Sequence, residues 1–596
     1  MARTRHQGQE EPIPFRGLPA AALRAVWREG YGAAELRADV LAGLVVGVVA
    51  LPLAMALAIA VGVAPQQGLY TAIVAGFVVA ALGGSRAQVT GPTAAFIVIL
   101  APIYARFGLA GLLISGMLAG CILCAMGAAR LGRLIQFIPH PVTTGFTAGI
   151  ATVIGTLQLK DLLGLEPPRN PEHFFERVAV MFHARGTASL VELSLGLGTL
   201  AALVFLPRLT KRVPAPLVAL PLAALAALLL ERVLPGVDVA TIATRFQSTV
   251  AGIAVHGIPP LPPLLMIPWQ APGAGGEPFT LTSEAVRALV PSAFAIAMLG
   301  AIESLLSAVV ADGMARTKHD PDAELLALGV GNVIAPFFGG IAATGAIART
   351  ATNIRAGARS PIASMVHALT ILAAVLALAP ALGYLPMASL AALLLLVAWN
   401  MSEAKHFAHT VKVAPKSDVV VLLTCYGLTV ALDMVVGVSV GMMLASLLFM
   451  RRMAEVTQTK LASENHPDLH GPVPPGVLVY EISGPLFFGA AQKAMAALRV
   501  TADRAKAVIL LLDGVHAMDA TGLVALESAL EQLRSQKCLA VLSGVQRQPM
   551  AVLRKAHAHE QPGVLFCANA DEALAAARAH IEGLAAPPAA SLPPAA

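Results

Sequence analysis

Apolar runs long enough to cross a bilayer recur from Val40 to about Met450; a spanning helix needs about 20 such residues. They resolve into fourteen segments, near 40–62, 67–83, 92–105, 109–128, 141–159, 188–206, 215–233, 286–306, 324–338, 347–357, 361–379, 386–400, 417–432 and 434–450. The third and tenth are too short to cross alone. Each follows a Gly-containing stretch, Thr90-Gly91-Pro92 and Thr344-Gly345. Short, Gly/Pro-interrupted segments at matching places in two halves predict an inverted-repeat transporter with its site near the midplane.

The pattern changes at Arg451. Residues 475–585 read as a soluble α/β unit, with strands at Val477–Ser483, Ala507–Asp513 and Leu539–Ser543 and helices at Ala520–Ser535 and Asp571–Leu584. Residues 1–38 form a polar N-terminal segment, 39–452 the membrane domain, 453–474 a linker and 586–596 a Pro/Ala-rich disordered tail.

Charge orients the spans. With a cytoplasmic start, the inner loops carry Arg86, Arg130, Arg133, Arg208, Lys211, Arg212, Arg316, Lys318, Arg355, Arg359, Lys405, Lys412, Lys416, Arg451 and Arg452. The short outer loops 64–66, 339–343 and 381–385 have no charge. This positive-inside pattern predicts that both termini are cytoplasmic. The C-terminal unit has ten basic and ten acidic residues, so the net +6 belongs to the rest of the chain.

Composition narrows the function. The chain is 57% hydrophobic and 13% charged over 596 residues, which excludes a disordered or fibrous chain and most soluble folds. Aromatic content of 5% and a dispersed charge excess argue against nucleic acid. Cys121 and Cys124 sit in an apolar run and read as small helix-packing residues, with redox or metal chemistry the alternative. No G-x-x-x-x-G-K-[ST] motif occurs, so no ATP-driven motor is visible. The reading calls for no catalytic constellation, cofactor or metal. His557 and His559 read as surface residues.

Glu303 stands alone as a charge in SAFAIAMLGAIESLLSAVV. A mid-membrane carboxylate is costly and is a functional candidate by default, here for coupling to a proton or cation together with Ser307. The alternative is a structural carboxylate capped by Ser304 or Ser307. The two half-helices supply unpaired backbone N–H groups and partial positive charge at their starts, a ready anion site. Gly91 and Gly345 allow close backbone approach, and Thr93 and Thr344 offer hydroxyls. Tight helix packing is the other role for the glycines. His367 is a weaker candidate, Asp433 reads as a solvated turn residue, and His140 as a helix start.

Pro65-Gln66-Gln67-Gly68-Leu69-Tyr70, Gly83-Gly84-Ser85-Arg86 and Thr90-Gly91-Pro92-Thr93-Ala94-Ala95 resemble the signature of the SulP anion transporters. The stretches 298–305, 332–340, 345–353 and 397–403 resemble most closely the C4-dicarboxylic acid carriers of that family. Gly484–Gly489 and Asp519-Ala520-Thr521-Gly522 resemble its C-terminal STAS domain. The resemblance implies a seven-plus-seven inverted repeat, with spans 1–4 and 8–11 forming a core that rocks against a gate. It implies a homodimer in a bacterial inner membrane, with cytoplasmic STAS domains that can bind a protein partner.

By resemblance the anion lies between the half-helix starts and the first span. The implied residues are Pro52, Leu57, Gly91, Pro92, Thr93, Ser304, Thr344, Gly345, Ala346, Ala348 and Arg349. Leu53 stands where other members offer a polar residue. Arg349 matches a basic position near the anion; pairing with Glu303 and snorkelling to the interface are its alternatives. Thr521 takes the place of a phosphorylatable serine in related proteins, with Asp519 able to serve as a plain N-cap. The expected activity is secondary-active, proton-coupled uptake of succinate, fumarate or aspartate by alternating access. Sulfate or bicarbonate transport, an anion channel and a membrane sensor are the rivals.

Overall fold

The computed structural model describes residues 19–133, 138–169, 171, 174–210, 214–234, 238–250, 253–461, 471–487, 491–495 and 505–583. Lys211, Arg212, Phe488, Gly489 and the tail lie outside them. The chain divides into two compact units, Met1–Met442 and Met443–Ala596.

The first unit is helical. Besides the short helices Ala21–Glu29, Phe174–His183 and Ile242–Arg245, its described helices are α1 (Ala33–Val61), α2 (Pro65–Leu82), α3 (Ala94–Ala128), α4 (His140–Leu162), α5 (Leu190–Leu209), α6 (Ala215–Val233) and α7 (Ser283–Ala315). They continue as α8 (Pro321–Ile334), α9 (Ile347–Arg355), α10 (Ile362–Leu382), α11 (Met387–Ser402), α12 (Ala404–Val413), α13 (Lys416–Ala431) and α14 (Met434–Val456), which runs on past the division between the units. Among the described residues, ten helices are long and apolar enough to cross a membrane. The expected third and fourth spans join in α3, where Gly108 at φ 69° breaks the helical geometry. A side chain there would strike the Gly273 backbone, so only glycine fits this bend. Helix α9 has nine residues and cannot cross alone.

Two strands of two residues each, β1 (Thr90–Gly91) and β2 (Thr344–Gly345), pair antiparallel, Thr90 with Gly345 and Gly91 with Thr344. The helix contacts are reciprocal in the same sense. α3 packs on α8 as α2 packs on α10, and α4 packs on α13 as α5 packs on α11. An inverted repeat predicts this reciprocity. The contacts also sort the helices into one group of α1–α3 with α7–α10 and another of α4–α6 with α11 and α13.

Helix α1 begins seven residues before Val40. Glu35 Oε2 accepts from the Gly32 amide at 3.1 Å at its start, and the buried Asp39 accepts from Tyr31 Oη at 2.8 Å and from the Arg359 and Ser360 amides at 2.7 and 3.1 Å. A charge so well partnered is tolerated inside a helix group.

The second unit carries a sheet of β3 (Gln458–Leu461), β4 (Val477–Ser483), β5 (Ala507–Gly514), β6 (Leu539–Ser543) and β7 (Val564–Cys567), in that order. Strand β3 is antiparallel to β4 and the other neighbours are parallel. Its described helices include α15 (Ala520–Ser535), α16 (Arg547–Lys555) and α17 (Ala570–Glu582). Sheet residues such as Val508, Leu510 and Leu542 face α15, while Ile509 and Val541 face α17. The stretch expected as a linker therefore contributes a strand of this sheet, and Val564–Cys567 adds another that the pattern did not reveal. Asp519 Oδ1 accepts from Gly522 N at 2.7 Å and caps α15, which leaves Thr521 half-buried in the first turn. Burial pushes the Cys538 thiol up to about 11, which keeps it protonated and inert.

Candidate functional site

The backbone brings the starts of α3 and α9 together at the β1–β2 pair. Each helix start has amides left over from its own hydrogen bonding. Thr93, the N-cap of α3, and Ala346, the N-cap of α9, make no side-chain cap bond. In α3 the reason is visible: Thr93 Oγ1 donates to Glu303 Oε2 at 2.8 Å instead.

Arg349 lies on the first turn of α9 and is 3% exposed, so it does not snorkel. Its Nη2 donates to the Pro92 carbonyl, and Nε and Nη1 have no hydrogen-bond partner. It lies within electrostatic reach of Glu303, which stays partly exposed. A buried cation with two unused donor nitrogens beside two uncapped helix starts forms a strongly anion-attracting place.

The glycines are required by contact. A Cβ on Gly91 would lie 2.6 Å from Arg349 Nη1. A Cβ on Gly345 would collide with the Gln88 carboxamide and lie 3.0 Å from Ser304 Cα. Each glycine thus lets a polar side chain lie directly on the strand.

Other expected contributors point elsewhere. Ser304 Oγ accepts from Gln88 Nε2 at 2.7 Å, and Ser307 Oγ donates to Thr350 Oγ1 at 3.1 Å. Neither caps Glu303, whose hydroxyl partner is Thr93. Thr344 Oγ1 donates to the Gly300 carbonyl at 2.8 Å, and Ala346 N–H to the Val89 carbonyl at 2.9 Å. Ala348 is exposed on α9, whereas Pro52 and Leu57 are buried in α1, which packs on both α3 and α9. Leu53 is half-buried. Asp433 Oδ1 accepts from Val436 N at 2.9 Å as a turn residue, and His140 opens α4. Cys124 meets α8 at the Leu326 carbonyl, a packing role.

The sequence reading missed the side chains that hold the loop before β1. Glu324 Oε2 accepts from Gly84 N and Ser85 N at 3.0 and 3.1 Å. Asn353 Nδ2 donates to the Ala87 carbonyl at 2.9 Å, Ser364 Oγ to the Gln88 carbonyl at 2.7 Å, and Thr350 Oγ1 accepts from Val89 N at 3.0 Å. His367 is fully buried with both ring nitrogens unpartnered. The available signal was a polar residue within an apolar run, the same signal that marked Glu303. Among the described residues, no group of three or more His, Cys, Asp or Glu side chains is placed to hold a metal.

Residues 36–425 match the family described as Sulfate permease family, and residues 470–573 match the STAS domain. YvdB of Bacillus subtilis (strain 168), named for sulfate transport, is 38% identical over 88% of this chain and 95% of its own length. Bicarbonate transporter BicA of a Picosynechococcus strain is 29% identical over 87% of this chain and 90% of its own. The murine Slc26a9 anion transporter structure shares the fold, with a TM-score of 0.77, 18% identity, and 94% of each chain covered.

Proposed function

Because this chain belongs to the sulfate permease family, we propose that it is a secondary-active carrier of a small oxyanion, sulfate or bicarbonate, working by alternating access. The observation that supports this most is the pair of uncapped helix starts facing each other beside Arg349, with Nε and Nη1 unused. The sulfate and bicarbonate named for its relatives support the substrate class. The group of α1–α3 and α7–α10 moves as the core, carrying the anion past the group of α4–α6, α11 and α13.

Glu303 carries the coupling proton. It is partly exposed, bonded by Thr93 and within reach of Arg349, so its charge state and the anion's presence affect each other. The carrier sits in a bacterial inner membrane as a homodimer, with its STAS domain in the cytoplasm as a binding platform for a protein partner. Phosphorylation of Thr521 is the regulatory reading for that domain.

A C4-dicarboxylate is the second reading, favoured by the buried guanidinium of Arg349, whose unused Nε and Nη1 lie on different edges and can each donate to a separate acceptor oxygen of a dianion. Counterflow uptake into proteoliposomes with labelled sulfate, bicarbonate, succinate, fumarate and aspartate tests both. Saturable exchange of sulfate or bicarbonate alone supports the first. Exchange of succinate or fumarate alone supports the second, and non-saturating flux of all anions identifies a channel. Binding without uptake identifies a sensor.

A further inference from the structure

We propose that a groove on the second helix group holds an acyl chain of an anionic phospholipid, whose headgroup is gripped by the basic face of α12. The groove has a volume of about 470 Å³ and is walled by α4, α11, α12 and α13. Every lining residue belongs to that helix group or to α12, which packs on α4, so the groove is a feature of one surface. Its walls include Leu159, Leu395, Trp399 and Phe407. Trp399 is 68% exposed near the end of α11, the place where a spanning helix puts tryptophan at the headgroup level.

The polar groups inside the groove are already used. Thr152 Oγ1 donates to the Ala148 carbonyl at 2.9 Å, Thr156 Oγ1 to the Thr152 carbonyl at 2.8 Å and Ser402 Oγ to the Trp399 carbonyl at 2.7 Å. Tyr426 Oη lies 3.3 Å from Thr152 Oγ1, and the Tyr426 ring packs 5.4 Å from that of Phe407. With its hydroxyls turned to the backbone, the groove asks for hydrocarbon, not for an anion.

At one end lies α12, with Ala404 and Phe407 lining the groove. Lys405, His409 and Lys412 recur at i, i+4 and i+7, share one exposed face, and are followed by Lys416. Helix α12 contains no carboxylate; the nearest one before it, Glu403, forms the turn that leads in. A short basic amphipathic helix joined to an apolar groove matches an anionic headgroup joined to an acyl chain.

The test uses the full chain in zwitterionic detergent, with phosphatidylglycerol and phosphatidylcholine of identical chains as probes. Thermal unfolding and native mass spectrometry read stabilisation and retained lipid. Phosphatidylglycerol is expected to raise the melting temperature more than phosphatidylcholine and to remain bound. The double variant Lys405→Ala/Lys412→Ala loses at least half of that difference. Gly155→Leu fills the groove and lowers retention of both lipids. A Cβ at Gly155 meets Ala398 Cβ at 3.8 Å and Leu395 Cδ2 at 3.9 Å, ordinary contact, and an unchanged melting temperature of the lipid-free variant checks that the further leucine carbons leave the fold intact. Equal stabilisation by the two lipids, an unchanged preference in the lysine variant, or unchanged retention in Gly155→Leu overturns the proposal. So does loss of dimer in Gly155→Leu without any bound lipid in the parent, which assigns the groove to a second copy of the chain.

Discussion

Aligning Thr90-Gly91 with Thr344-Gly345 sets Thr93 opposite Ile347 and Ala95 opposite Arg349. The backbones of the two helix starts are reciprocal, while these side chains are not. The first start offers a hydroxyl that is committed to Glu303; the second offers a buried guanidinium with two donor nitrogens unused. A reciprocal backbone cradles negative charge without choosing among anions. In the proposed carrier, the unequal side chains are the positions at which anion choice and proton coupling are to be tested. The paired strands are what the two halves share, and Thr93 and Arg349 are where they differ.

The largest effect is expected where the frame itself is blocked. Gly91→Leu drives a side chain into Arg349, and Gly345→Leu drives one into Gln88 and Ser304. Each is expected to lower anion affinity tenfold or more, about 1.4 kcal/mol or above, measured by binding to monodisperse protein. Equal, normal affinity in both would put the anion away from the strand pair.

Glu303→Gln tests the coupling side of the asymmetry. It keeps the shape of the protonated carboxyl, so counterflow exchange is expected to persist while the pH dependence of net uptake vanishes. Retained pH dependence would move the coupling group elsewhere. Arg349→Ala tests the other side. If the guanidinium holds one carboxylate of a dianion, succinate uptake falls further than uptake of a monovalent anion, and a uniform fall leaves it a general role.

A smaller effect is expected from removing residues 458–596, a cut placed before β3 because that strand belongs to the C-terminal sheet. Anion binding by the remaining unit is expected to survive, and a well-folded truncation that binds nothing would contradict it. Ser307→Ala is expected to change uptake least, since its hydroxyl bonds Thr350 and not Glu303. A shifted pH profile in that variant would return Ser307 to the coupling group.

Hydropathy made most of the spans legible because lipid imposes one rule along the whole chain. Pairs such as Thr-Gly before a short segment marked both helix starts, and Glu303 was visible as a lone charge in an apolar run. The partners of these residues were not legible. Thr93 and Glu303 are 210 positions apart, and no local pattern joins them. The partners of Ser304 and Ser307 were hidden for the same reason: Gln88 is 216 positions from the one and Thr350 is 43 from the other. Gln458–Leu461 escaped because four residues of mixed polarity carry no strand period of their own, and pairing with β4 supplies the order.

The loop before β1 has a consequence for synthesis. Its backbone groups at Gly84, Ser85, Ala87, Gln88 and Val89 bond to Glu324, Asn353, Ser364 and Thr350, all of which lie beyond residue 320. The ribosome releases the first half of the chain long before these partners exist. Until they arrive, the loop must stay hydrated or find other donors and acceptors, because unpaired backbone groups are costly in lipid. The N-terminal half therefore inserts with the loop before β1 unfinished. It becomes a transporter only when α8, α9 and α10 enter the membrane beside it, so assembly depends on contacts across more than two hundred residues, the kind that close slowly.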